Sequence, residues 1–112
     1  MTLQEIDNMV ESIGLPYCYY QFRPDPQNPP PPPPFVCFFY PNNDDLMADN
    51  VNYGRINALV IELYTDERDF ILESQLEAVL IANGLPYTWA ESYIDSEHMH
   101  LTTYNTEVVI NA

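Results

Sequence analysis

The chain has no lysine, and Arg23, Arg55 and Arg68 are its only cations against 17 carboxylates, which leaves a formal net charge of -14. Phosphate contacts would find almost no cationic partners, so binding to DNA, RNA or anionic lipid is disfavoured. Glycine is scarce, with three residues, and none of them builds a phosphate-cradling loop or a nucleophile elbow. Two cysteines are too few for a disulfide framework, and Cys18 and Cys37 do not form a CxxC motif. No run approaches the roughly 20 apolar residues of a membrane-spanning helix. The opening Met-Thr-Leu-Gln-Glu lacks the basic and apolar regions of a signal peptide, so synthesis and retention in the cytosol are expected.

What is present suits a folded unit. Hydrophobic residues make up 46% of the 112 positions and aromatics 13%, enough for a packed interior despite the charge. One domain over 1–112 is expected, interrupted by a rigid proline-rich connection at 24–34 and a long polar loop at 41–54.

Thr2 and Glu5 have the spacing of a capping box, and Ile6, Met9, Val10 and Ile13 recur at helical intervals, predicting a helix over 3–13. Gly14 suits the left-handed position past its end, Leu15 the apolar contact that closes the cap, and Pro16 forbids continuation. Residues 17–23 are rich in aromatics and predict a strand. Eight prolines follow between Pro24 and Pro34, six of them consecutive, forcing an extended arm of roughly 19 Å over those six. Residues 35–40 predict a second strand, apolar on both faces and therefore central or covered. If the two strands form a hairpin around the prolines, Cys18 falls opposite Tyr40 and not Cys37, and buried thiols are expected in place of a disulfide or metal site.

Residues 55–65 alternate, with Leu59, Ile61 and Leu63 on one face and Ile56, Ala58, Val60 and Tyr64 on the other. Asp66 is the expected cap of a second helix, with Phe70, Leu72, Leu76, Val79 and Leu80 along one stripe and Glu67, Asp69 and Glu73 near its positive end. Asn83 and Gly84 end it. Gly84-Leu85-Pro86-Tyr87 repeats Gly14-Leu15-Pro16-Tyr17 letter for letter, so the same helix-to-strand turn is expected twice. Residues 87–94 and 99–110 then predict a hairpin turned at Asp95-Ser96-Glu97. The resulting order, α-β-β-β-α-β-β, points to an α+β fold with a mainly antiparallel sheet of about five strands and two helices packed on one face.

No reaction centre stands out, so an enzyme is not expected and no cofactor is implied. His98 and His100, two apart in a strand, would point to one side near Glu91 or Asp95, but no third ligand has recognisable spacing, and an ordinary histidine pair is the preferred reading. No motif singles out an acid and base pair among the carboxylates. The 42–50 loop matches a calcium loop in composition alone. The prolines could dock on an aromatic groove, yet only Arg23 flanks them, which favours a passive connection.

Leu46-Met-Ala-Asp-Asn-Val-Asn-Tyr53, then Ile61-Glu-Leu-Tyr-Thr65, an acidic helix, and Glu91-Ser-Tyr-Ile-Asp-Ser-Glu97 before a strand with Tyr104 together resemble a family of small head-to-tail proteins of phages and prophages of Gram-positive bacteria. The resemblance runs from about residue 35 to the C-terminus. Members resemble tail terminator, or tail completion, proteins, which implies a subunit of a ring, commonly a hexamer, on the last ring of tail-tube protein, with head-closure or connector proteins on its other side. It implies a place in the virion neck after assembly in the host cytoplasm, and an acidic lumen that repels DNA in transit. Leu46, Met47, Asn50, Tyr53, Tyr93 and Met99 are the candidate contact residues. Rival expectations are another head-to-tail connector, such as a head-closure or minor capsid protein, and an acidic DNA mimic that inhibits a basic host protein.

Overall fold

Thr2 begins the first helix as its spacing predicts. Its hydroxyl accepts the Glu5 amide at 3.0 Å while the Glu5 carboxylate accepts the Thr2 amide at 3.0 Å, closing the capping box. In the computed structural model, which describes residues 1–23, 25–27, 29–41 and 56–111, this helix is α1 (Leu3–Glu11). It is followed by β1 (Tyr17–Tyr19), β2 (Phe35–Phe39), β3 (Ile56–Thr65), α2 (Phe70–Ala82), β4 (Tyr87–Ile94) and β5 (Met99–Val109). The fold is α+β, and the element order is the predicted one.

The five strands form one sheet in the order β1-β2-β3-β5-β4. Three pairings are antiparallel, and β1 with β2 is parallel. The sheet is therefore mixed, and the proline-rich segment is a crossover between parallel strands, not a hairpin connection. With that, Cys18 pairs with Cys37, correcting the register that a hairpin would impose. β1 is also shorter than the predicted 17–23 strand: Tyr20 takes a left-handed φ of 70°, which ends the ladder after Tyr19.

Alternation along each strand separates two faces. Val36, Phe38, Leu59, Ile61, Leu63, Tyr104 and Val108 point to one side and meet Ile6, Met9 and Val10 of α1 and Leu76 and Leu80 of α2 in one buried cluster. Both helices thus cover the same face. The opposite face carries Phe35, Cys37, Phe39, Val60, Glu62 and Tyr64, and instead of a helix it meets Tyr20, Phe22 and Pro30 from the crossover. Phe22 packs edge-on against Phe35 at 5.2 Å between ring centroids, and Phe35 stacks on Tyr64 at 4.8 Å. This explains why β2 is apolar on both sides.

The repeated tetrapeptide does the same work twice. Gly14 and Gly84 adopt φ of 89° and 71°, and Leu15 and Leu85 both pack on the core. Each tyrosine then reaches back ten residues to a helix carboxylate: Tyr17 donates to Asp7 at 3.1 Å and Tyr87 to Glu77 at 3.0 Å. Asp69, not Asp66, caps α2, its carboxylate accepting the amides of Ile71 and Leu72. The later start frees Arg68 to fold back on Glu73. Among the described residues no helix is long and apolar enough to cross a membrane.

Candidate assembly interface

β4 is the longer of the two sheet edges, eight residues against three in β1. Among the described residues no strand pairs with its side away from β5, the arrangement that templates pairing with another chain. Edge strands are commonly blunted by lysine, proline or an inward charge. β4 has no lysine and no proline, and its one charge, Glu91, is engaged by the chain itself. Trp89 and Tyr93 flank Glu91 on the helix-side face and stand 51% and 53% exposed. A strand edge with two half-exposed aromatics and no free charge is suited to meeting a partner.

What holds this edge in place is a polar cluster between α2 and the sheet. Arg68 pairs with Glu73 through two hydrogen bonds, Nε at 3.2 Å and a terminal nitrogen at 3.3 Å, and its other terminal nitrogen lies 2.7 Å from Glu91. His100 Nε2 donates to the same Glu91 oxygen at 2.9 Å, and Thr102 donates to Glu73 at 3.4 Å. The guanidinium also lies over Phe70, 4.4 Å from the ring centroid, and 5.2 Å from that of Trp89. Glu73 is buried, so its charge needs this pairing. A second carboxylate on the same helix face, Glu77, accepts from Tyr104 at 2.8 Å as well as from Tyr87. Arg68 is held by Glu73 and Glu91 at once, so the cluster ties α2 to β4 and orients Trp89 beside it.

Two more apolar side chains, Ile71 and Ile81, stand 72% and 67% exposed on the outer side of α2. They sit near the two ends of α2, about 15 Å apart along its axis, and leave an exposed apolar side chain at each end besides those the helix buries. Phe70, placed by its spacing on the buried stripe, is instead exposed and packs on Arg68.

The sequence-derived contact residues are scattered. Leu46, Met47, Asn50 and Tyr53 lie outside the described residues. Tyr93 is on the edge strand as required, whereas Met99, on the opposite face, lines an open groove of about 530 Å³ with Tyr20, Phe22, Phe35, Cys37 and Glu62. Tyr93 and Met99 therefore do not share a surface. His98 and His100 do not share a strand face either: His98 sits in the β4–β5 turn with φ of 52°, while His100 is buried against Glu91. Among the described residues no three His, Cys, Asp or Glu side chains are grouped to hold a metal. Trp89, Arg68, Ile71 and Ile81 escaped the sequence reading. The available signal was Glu73 and Glu77 falling in register with Leu76 and Leu80, which puts two carboxylates on a buried face and demands partners.

Comparison with protein-family models, curated proteins and solved structures finds no match to this chain.

Proposed function

We propose that the chain is a non-enzymatic structural subunit of a tailed-bacteriophage neck, which forms a ring on the end of the tail tube and mediates head-to-tail joining. The observation that carries the reading is the open β4 edge, with Trp89 and Tyr93 exposed and Glu91 already neutralised by Arg68. Ring closure requires each subunit to offer two different surfaces, one to each neighbour. The β4 edge supplies the first, and Ile71 with Ile81 on α2 the second. The motif resemblance supplies the partner, tail-tube protein, and the net charge of -14 suits a lumen through which DNA passes without adhering.

Purified protein mixed with tail tubes should cap the tube ends as a ring in electron micrographs. Tyr93→Lys, which places a solvated cation on the edge, should retain its circular dichroism spectrum and lose capping. Uncapped tubes with the unaltered protein, together with copurification with portal or head-closure protein, would move the chain to another position in the neck. Failure to bind either would remove the neck assignment.

A further inference from the structure

The chain's two thiols lie side by side on the sheet face opposite the helices. Cys18 and Cys37 are direct register partners on parallel strands, and their sulfurs are 3.4 Å apart. Adjacent strands run about 4.8 Å apart, which lies inside the Cα separation of about 4.4–6.8 Å that a disulfide spans. Closing the sulfurs to a bond of about 2.05 Å asks for side-chain rotation and little strand movement. Cys18 is part-exposed and Cys37, beside it on the neighbouring strand, is buried, so Cys18 is the thiol an oxidant meets first and the second sulfur is already in place. β1 is only three residues long and, among the described residues, pairs with β2 alone, so a bond at its middle residue would fix the start of the proline crossover to the sheet.

We propose that Cys18 and Cys37 are a disulfide-forming pair, closed in the native protein by a low-molecular-weight disulfide such as oxidised glutathione. The inference is independent of the assembly role. The Cys18 thiol gives its proton to solvent, and the thiolate attacks one glutathione sulfur, releasing a glutathione thiolate that takes up a proton. Cys37 then loses its proton and displaces the second glutathione from Cys18. Two protein thiols are oxidised to one disulfide, and one glutathione disulfide is reduced to two glutathione thiols. Burial raises both thiols above the usual thiol range, and the nearby Glu62 carboxylate adds to the rise. The exchange is consequently slow at neutral pH and quickens as pH rises.

The test is intact-mass measurement on reduced native protein held with oxidised glutathione at about pH 8.5, quenched in acid. The expected product has lost two hydrogens, carries no glutathione, and yields a peptide joining residues 18 and 37 on digestion. Because the positions are 19 apart in sequence, its thermal midpoint should rise by at least about 5 °C and fall back on reduction. Cys37→Ser should stop at a glutathione adduct on Cys18, whereas Cys18→Ser should keep its buried thiol unmodified over the same interval. Wild-type protein that retains both thiols, accumulates adducts or covalent dimers, or forms the bridge only after denaturant is added would overturn the proposal.

Discussion

Two carboxylates differ in how the fold treats their charge. Glu73 is buried but receives two hydrogen bonds from Arg68 and one from Thr102, so removing its cation leaves a charge without compensation. Arg68→Met should lower the midpoint of urea unfolding, because Glu73 stays buried without its cation. Adding Glu73→Met should recover most of that loss, because a well-packed apolar pair is often as stable as a buried ion pair. Glu62 lies on the opposite face with a hydrogen bond from Tyr64 at 3.1 Å and, among the described residues, no ion pair, and burial raises its pKa. A carboxyl whose folded pKa exceeds its unfolded one binds its proton more tightly when folded, so it opposes folding above that pKa and ceases to do so on acidification. Glu62→Gln should therefore raise the thermal midpoint modestly at about pH 7, and the gain should shrink as pH falls through the carboxylate range towards about pH 4. A gain that persisted unchanged at low pH would assign the effect to packing instead of charge.

At the scale of elements, the parts legible in the sequence are those with local causes. The capping box of α1 and the two Gly-Leu-Pro-Tyr turns depend on residues a few positions apart, and each forms where its letters stand. A Cβ at Gly14 or Gly84 meets no atom within 4 Å, so the conformation alone penalises a side chain. Gly14→Ala and Gly84→Ala should each cost about 1 kcal/mol in chemical denaturation. A loss of several kcal/mol would mean that the turn is also crowded. The direction of β1 was not legible, because a stiff proline arm connects strands of either sense and only the tertiary pairing with β2 decides. The cap of α2 was misplaced for a similar reason: Asp66 and Asp69 both qualify by type, and the pairing of Arg68 with Glu73 belongs with the later start. The two-residue spacing to His100 places His98 in a strand, whereas the hairpin turn extends one residue further and gives it a positive φ. The candidate interface was legible only at Tyr93, since whether a strand lies at an edge is a property of sheet order and not of its own residues.

For the whole molecule, charge and surface pull against each other. Each copy carries -14, so bringing subunits together raises electrostatic energy at any interface that does not pair opposite charges. The surfaces available for contact, the β4 edge with Trp89 and Tyr93 and the ends of α2 with Ile71 and Ile81, are apolar, and Arg68 is already committed to Glu73 and Glu91 within its own chain. Attraction should accordingly come from apolar burial and strand pairing, and opposition from long-range repulsion. Raising ionic strength from about 0.01 M to about 0.15 M shortens the Debye length from about 30 Å to about 8 Å, which weakens the repulsion and leaves the apolar contact almost untouched. Self-association followed by sedimentation velocity should therefore strengthen with salt across this range, and Trp89→Glu should abolish it at every salt concentration while preserving the folded monomer. If added salt instead dissociates the assembly, its subunits are joined by charge pairs, and the β4 edge is not the surface that joins them.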